Sequence, residues 1–234
     1  MSEALDKVRG VRELPIFPLP LVLFPGVPLP LHIFEERYRR MLADARASNN
    51  LFGLSNFTPD AAGGGRPPAG HVGCATEVVE VQPLPDGRSN IMTVGVARYR
   101  VTGYAERGEP YLVARVEFFE DEEEDQEVVG RRAAEVSEMF MRIARAMRTA
   151  NQERGALPEL PEDDPERLSF LVAAVVEMDA ETKQRLLETR STSERLRRLH
   201  TMLAQAVDAD EERARTHELA RGNGHAGKKL DLDE

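Results

Sequence analysis

Residues 14–34 read LPIFPLPLVLFPGVPLPLHIF, an apolar run that is long enough to cross a bilayer but contains six prolines. A proline inside a helix removes a backbone donor and clashes with the preceding turn, at about 3 kcal/mol each. The prolines therefore exclude a membrane-spanning helix. A secretory signal also fits poorly, because the preceding MSEALDKVRGVRE mixes acids with bases and no small-residue cleavage site follows. We conclude that the run belongs to the fold.

The prolines of this run are compatible with short strands, since proline is tolerated where a strand begins, bends or forms an edge. We predict strands at Leu14–Leu19, Leu21–Phe24 and Leu29–Ile33, with a tight turn at Pro25-Gly26. The segment that follows, HIFEERYRRMLADARASNN, places apolar residues at helical spacing. This spacing predicts one amphipathic helix.

The rest of the N-terminal half has the patterns of strands and turns. LFGLSNF predicts a strand, and TPDAAGGGRPPAG predicts a surface loop. His71–Leu84 and Ile91–Val101 alternate in polarity on either side of PDGRS, which predicts a hairpin. Val101–Tyr104 and Tyr111–Phe119 predict a second strand pair around ERGEP. The N-terminal half is therefore predicted to be a β-rich module.

The composition changes abruptly at EDEEEDQE, where seven of eight residues are acidic. Self-repulsion disfavours packing of such a run, so we predict a solvated linker. Beyond it, apolar residues recur at helical spacing in four segments, which predicts a compact bundle docked on the β module. The predicted organisation is a β-rich subdomain with one helix at 1–119, an acidic linker at 120–127, a helical bundle at 128–221 and a disordered tail at 222–234.

Three of the predicted helices have recognisable first residues. Asp164 precedes Pro165, the pairing of an N-cap with proline at the first helical position. Asp179 is the predicted cap of a short helix, and either Ser191 or Ser193 is the predicted cap of the last one. The apolar stripe of that last helix fades after Val207, so the helix is expected to extend beyond its core.

Charge and cysteine content limit the classes of function. The net charge of −10 and the isoelectric point near 5.2 produce a field that repels phosphate backbones and anionic lipid surfaces, so neither nucleic acid nor membrane is predicted as a partner. The single cysteine, Cys74, cannot form an internal disulfide. Without a signal peptide, this predicts a reducing, cytoplasmic location.

Motifs that would indicate catalysis, a metal or a cofactor are missing from the sequence. Cys74 and His71 lie three residues apart on a predicted strand and so point to opposite faces, which favours a packed thiol over a nucleophile. The acidic run lacks the glycine and ligand spacing of a calcium loop, and the histidines are scattered without Cys/His pairing. AAGGGRPPAG lacks the lysine and hydroxyl of a phosphate loop. We therefore predict no catalytic residue, metal or cofactor.

The phenylalanines of the β-rich half are the remaining candidates for a binding surface. Most are expected in the core, as small β domains require. Phe57 stands at the edge of the glycine- and proline-rich loop, where an exposed aromatic would capture an apolar peptide. We name Phe52 and Phe57 as the candidate peptide-binding residues. The expected core phenylalanines are Phe17, Phe24, Phe34, Phe118 and Phe119.

The Leu-Pro run, Phe24-Pro25-Gly26 and PLHIFEERY together resemble the opening of the Lon protease N-terminal, substrate-binding domain family in its stand-alone bacterial form. STSERLRRL is similar to the start of the closing helix of that family, and the resemblance covers about the first 207 residues. It implies an α+β fold with a PUA-like β-rich N-terminal subdomain followed by a C-terminal helical bundle. This agrees with the organisation predicted from the residues.

The resemblance implies a non-catalytic module that binds polypeptide segments. We expect it to recognise unfolded or exposed segments, as an adaptor or regulator of proteolysis, with a protease or a client protein as partner. A second hypothesis is a PUA-like small-ligand or RNA-binding protein that uses a local basic patch of Arg98, Arg100, Arg107 and Arg115. The client and the oligomeric state are left open by the sequence.

Overall fold

The computed structural model describes residues 3–58, 65–150 and 159–223, with Ala150 and residues 208–223 as backbone only. The predicted α+β class, with a β-rich part first and a helical part second, is confirmed. The elements of these ranges are α1 (Glu3–Lys7), β1 (Glu13–Leu19), β2 (Pro28–Ile33), α2 (Glu36–Arg46), β3 (Leu51–Asn56), β4 (Val72–Pro83), β5 (Ser89–Tyr104), β6 (Leu112–Phe119), α3 (Gln126–Ala150), α4 (Pro165–Val175), α5 (Ala180–Glu188) and α6 (Thr192–Asn223).

The strands form one sheet that closes on itself. β5 pairs with β4, β4 with β3, β3 in parallel with β1, and β1 with β6, which returns to the C-terminal half of β5. β2 pairs with the N-terminal half of β5 and has one open edge. Five strands thus form a barrel and the sixth extends it. Both predicted hairpins are confirmed by these pairings.

Staggered pairing explains how β1 tolerates two prolines between neighbouring strands. The carbonyl of Arg12 accepts from Val116 N on the β6 side (2.9 Å), and that of Leu19 accepts from the residue following β3 (3.1 Å). Backbone groups alternate in direction along a strand, so Pro15 faces the β3 side and Pro18 the β6 side. The β3 pairs begin after Pro15, and the β6 pairs end before Pro18. Each missing N–H therefore lies where the ladder offers no partner.

The prolines of β2 face its open edge. The carbonyl of Val27 accepts from Gly95 N (3.0 Å) and so points toward β5. Because backbone polar groups alternate in direction along a strand, those of Leu29 also point toward β5, and those of Pro28 and Pro30 point away from it. An edge that lacks two donors is a poor template for another strand. The prolines thus cost β2 nothing in its own ladder and protect its outer side.

The predicted strand at Leu21–Phe24 is wrong, because this segment is an irregular, buried connection. The Phe24 carbonyl accepts from Val27 N (3.2 Å), and Gly26 has a φ of +76°, which confirms the predicted Pro-Gly turn. Gly26 N donates to the Gly95 carbonyl (2.8 Å), and a Cβ at Gly95 would collide with the Phe24 carbonyl. Close packing on β5 therefore replaces strand pairing here.

The predicted caps begin the helices. Asp164, Asp179 and Ser191 each accept from the backbone N–H three residues later, at 2.9, 2.8 and 3.0 Å, so Ser191 is the cap of α6 rather than Ser193. The backbone of α6 is helical to Asn223, beyond the predicted end of its apolar stripe. The prediction of a disordered tail at 222–234 is wrong for residues 222 and 223, which belong to α6, and the rest of that segment lies outside the described residues.

The helical part and the barrel share a hydrophobic core. α3 packs on α6 and α4, and α5 packs on β4. The buried side chains of this cluster come from all four helices, and Phe24 and Val72 join them from the β-rich part. The helices therefore bury their apolar stripes partly against the barrel and not only against each other.

A buried carboxylate, Asp121, connects the two parts through two arginines. Its side chain is 6% exposed and lies between Arg98 of β5 and Arg195 of α6. The nearer Arg195 nitrogen is 2.6 Å from an Asp121 oxygen, and Thr192 donates to the same carboxylate. Arg195 also donates to Ser169 Oγ of α4 (2.7 Å). One acidic side chain thus links a strand to two helices.

The prediction that the acidic run is solvated is wrong for two of its residues. Asp121 is buried in the cluster described above. Glu124 accepts from Ser193 N (3.0 Å) and Ser191 Oγ (2.9 Å), so it helps to hold the first turn of α6. Glu122 is 64% exposed, as predicted for the run. The sequence pattern could not distinguish these residues, because the two arginines and two serines that bind them are distant in the chain.

We predict that Asp121→Asn lowers the free energy of unfolding by about 3–5 kcal/mol, because it removes the buried negative charge that lies between two buried guanidinium groups. Urea unfolding followed by circular dichroism measures the effect. Glu122→Gln is the matched control in the same run and should change stability by less than about 0.5 kcal/mol. Equal stability of the two variants would contradict the role assigned to Asp121.

Comparison of the wild type with Asp121→Asn also gives a prediction for pH. Burial alone would raise the pKa of Asp121, but the hydrogen bond and charge of Arg195 and the charge of Arg98 outweigh it and hold the pKa below the ordinary 3.8. The carboxylate therefore stabilises the fold above about pH 4, and this contribution is lost as the pH falls through the lowered folded-state pKa. The stability difference between wild type and Asp121→Asn should shrink below pH 4. A constant difference down to pH 2 would contradict the prediction.

Cys74 has the environment of a packed thiol, as predicted. It is 1% exposed and lies in a cluster with Leu23 and Leu54. Burial raises the pKa of the Cys74 thiol to about 12, with a smaller opposing effect of a hydrogen bond from the Val96 backbone. The thiolate is therefore disfavoured at neutral pH.

We predict that Cys74 reacts slowly with an aromatic disulfide reagent in the folded protein and rapidly in urea, because reaction requires both exposure and the thiolate. Absorbance of the released thiol follows both reactions. Complete labelling of the folded protein within seconds would show that the thiol is accessible.

Candidate peptide-binding groove

A groove of about 460 Å³ with both apolar and charged side chains lies between the barrel and α4. The paired strands β4 and β5 form the floor, α1 forms one wall, and the Pro25-Gly26 turn and the start of α4 form the other. The side chains that line the groove are Glu3, Ala4, Leu5, Lys7, Pro25, Glu77, Val79, Val94, Val96, Ala97, Arg98, Phe119, Glu120, Asp164, Glu166, Arg167 and Phe170.

The floor is apolar and is held in place by the barrel. Val96 and Ala97 are buried on β5, and Val94 is partly exposed beside them. Val79 of β4 lies next to an irregularity in the β4–β5 register and is 53% exposed. An exposed valine on a rigid sheet is available to contact an apolar ligand without rearrangement of the fold.

An apolar strip continues from the floor along the outer face of the sheet. Pro28 is paired with Val94, and Pro30 with Met92, across the β2–β5 ladder. Paired residues lie on one face of a sheet, and both prolines and Met92 are exposed. The groove and the strip therefore form a continuous surface from α4 to the outer end of β2.

Phe34 lies beyond the end of this strip and not in the core. It is 59% exposed, and its ring stacks on that of His32 with centroids 5.9 Å apart. His32 Nδ1 is 2.7 Å from Asn90 Oδ1 on the neighbouring strand. The core prediction for Phe34 is thus wrong, since the residue follows the last pair of an edge strand, where no second layer covers it.

The α1 wall is attached by an ion pair and by apolar side chains, among them Ala4 and Leu5, which pack against the barrel. Lys7 Nζ is 2.8 Å from Glu77 Oε2 of β4, and this hydrogen bond raises the pKa of Lys7, with burial opposing it. Val8, immediately after α1, is buried against the barrel. A helix of five residues has little stability of its own, so these contacts determine its position.

Charged and aromatic side chains meet at the α4 end of the groove. The guanidinium of Arg98 lies 4.7 Å from the Phe119 ring centroid and 5.2 Å from that of Phe170. Glu166 lies 3.9 Å from Arg98, at 44% side-chain exposure. Burial, followed by the negative charge of Asp121, raises the pKa of Glu166. Through Arg98, the Asp121 cluster therefore reaches this end of the groove, which we call the deep end.

Neither candidate residue from the sequence lines this groove. Phe52 is 0% exposed and packs edge-on against Phe17, with ring centroids 6.1 Å apart, so its ring belongs to the core. The prediction that Phe52 contacts a peptide is therefore wrong. Phe57 is half-buried, and a Cβ at Gly65 would lie 3.3 Å from its ring. A peptide contact at Phe57 remains a prediction.

The basic patch that was predicted for the ligand-binding or RNA-binding hypothesis does not form as a set. Arg98 is buried and bound to Asp121. Arg107 pairs with Glu13, and Arg115 lies 3.8 Å from the same carboxylate. Of the four arginines, Arg100 alone is exposed without an ion pair among the described residues.

The structure also gives two results on other kinds of site. Within residues 3–58, 65–150 and 159–223, no group of three or more His, Cys, Asp or Glu side chains is arranged to hold a metal ion. In the same ranges, every helix is too short or too polar to cross a membrane.

Residues 13–205 match the family model of the ATP-dependent protease La (Lon) substrate-binding domain. Lon protease 2 of Herpetosiphon aurantiacus is 26% identical over 210 residues, covering 88% of this chain and 26% of that protein. The Lon protease of Escherichia coli is 27% identical over 214 residues, covering 84% of this chain and 25% of the relative. The chain thus spans about a quarter of the length of the curated relatives it matches.

Two solved structures share the fold. The N-terminal domain of Mycobacterium avium complex Lon protease superposes with a TM-score of 0.63 at 18% identity, over 82% of this chain and 98% of that domain. A Lon N-terminal domain protein from Xanthomonas campestris gives 0.59 at 22% identity, over 81% and 97%. The resemblance found in the proline-rich run is therefore confirmed, and the chain belongs to the Lon substrate-binding domain family.

Proposed function

We propose that this chain is a non-catalytic module that binds exposed or unfolded segments of other polypeptides, and that it acts as an adaptor or regulator of proteolysis in the cytoplasm. The observation that carries the proposal is the groove with an apolar floor and a charged rim. Membership of a substrate-binding family supports it.

The geometry favours side-chain recognition in the groove over addition of a strand. The open edge of β2 lacks backbone donors at Pro28 and Pro30. The floor, by contrast, offers Val79 and Val94 on a rigid sheet, and the strip extends this surface with Met92. An extended segment with alternating apolar side chains fits such a surface, since its side chains and not its backbone make the contacts.

We predict that Val79→Asn weakens binding of a labelled apolar peptide, and of an alkylated, permanently unfolded model protein, by about tenfold. Loss of one buried valine contact costs about 1.5 kcal/mol, which corresponds to that factor. Fluorescence anisotropy measures Kd for the peptide, and competition measures it for the unfolded protein. Val79 is exposed, so the substitution should leave thermal stability nearly unchanged.

Two further variants make the location of the site testable. Met147→Asn changes an equally exposed apolar residue on α3 that does not line the groove, and it should leave Kd unchanged. Phe57→Ala tests the location predicted from the sequence. Weakening by Phe57→Ala but not by Val79→Asn would move the site to the loop side of the barrel. Absence of binding by the wild type would show that the proposed function is wrong.

A further inference from the structure

The charges of the groove are unbalanced. Five acidic and three basic side chains line it. Arg98 shares the carboxylate of Asp121, which lies outside the lining, with Arg195. Lys7 is paired with Glu77, so Arg167 is the lining base that is left without an ion pair among the described residues. The surface that would contact a peptide is therefore negative, as is the whole chain at −10.

Glu166 is the carboxylate in this lining that is best placed to receive a cation. It is half-buried beside Phe119 and Phe170 at the deep end of the groove, and its side chain accepts no hydrogen bond from the described residues. The nearest cation, Arg98, is at 3.9 Å and is directed to Asp121 at shorter range. A half-buried carboxylate without a hydrogen bond is destabilised, and a donor supplied by a ligand would relieve this.

The surroundings of Glu166 fit the shape of a long basic side chain. The aliphatic stem of a lysine or arginine packs well on aromatic rings while its charged end reaches a carboxylate. Phe119 and the apolar floor line the same groove as Glu166 and provide such a surface. Burial, followed by the negative charge of Asp121, raises the pKa of Glu166 by more than the positive charges of Arg195 and Arg98 lower it.

Building on the function proposed above, we propose that the groove selects apolar polypeptide segments that carry a lysine or arginine, with the cation bound at Glu166. Apolar contacts on the floor would provide most of the affinity. The carboxylate would determine which apolar segments are preferred. Acidic side chains on a segment would be repelled by the negative lining, and basic side chains would be attracted. The preferred partner is thus a basic, apolar, unfolded segment rather than any unfolded segment.

Two labelled peptides with the same apolar centre test this inference on the full chain. One is flanked by lysines and the other by glutamates, and anisotropy gives Kd for each. We expect the lysine-flanked peptide to bind roughly fivefold more tightly at low ionic strength, as one or two partly exposed ion pairs provide. The ratio should approach one in about 1 M salt, where the screening length is about 3 Å.

Variants assign the preference to a residue. Glu166→Gln should reduce the ratio of the two Kd values by at least half, and Glu138→Gln, an exposed carboxylate on α3 outside this groove, should leave the ratio unchanged. A ratio near one in the wild type would overturn the inference while leaving peptide binding intact. A lysine preference that survives Glu166→Gln would overturn the assignment to this carboxylate. If neither peptide binds, both the inference and the proposed function are wrong.

Discussion

The attraction between one carboxylate and two guanidinium groups is the constraint on which this structure depends. Asp121 lies between Arg98 of the barrel and Arg195 of the last helix, and all three side chains are nearly excluded from water. Burial of three charges is costly, and it is offset only if each is paired and hydrogen-bonded in one geometry. An arrangement with so few alternatives fixes the orientation of the helices on the barrel. The groove exists because that orientation places α4 beside β5.

The proline-rich run serves this architecture in two ways. Within β1, Pro15 and Pro18 lie at positions where the staggered neighbouring strands offer no acceptor for a backbone N–H. A strand with neighbours on both sides therefore tolerates these two prolines. On β2 they remove donors from the open edge. A chain that binds exposed or unfolded segments, as we propose for this one, needs such protection, because an accessible edge would pair with any extended segment. In the proposed function, recognition is therefore made by side chains in the groove and not by the edge of β2.

Features that depend on a few neighbouring residues could be predicted from the sequence. The Asp164 and Asp179 caps and the Pro25-Gly26 turn follow from the chemistry of adjacent positions and were confirmed. Features that depend on distant partners could not. The seven acids of residues 120–127 have one pattern, yet Asp121 is buried because two arginines from other elements meet it. The groove was missed for the same reason, since its walls come from opposite ends of the chain.

The deep end of the groove and the junction between barrel and helices share side chains, and this couples binding to stability. Arg98 forms an ion pair with Asp121 and cation–π contacts with the rings of Phe119 and Phe170. The contacts that hold the helices on the barrel therefore also shape the end of the groove. A ligand that touches both β5 and α4 binds only the docked arrangement and must stabilise it. Conversely, a substitution in the junction would weaken binding without removing any contact to the ligand. Exposed floor and rim positions therefore report on recognition itself, whereas Asp121 and Arg98 report on the scaffold that makes recognition possible.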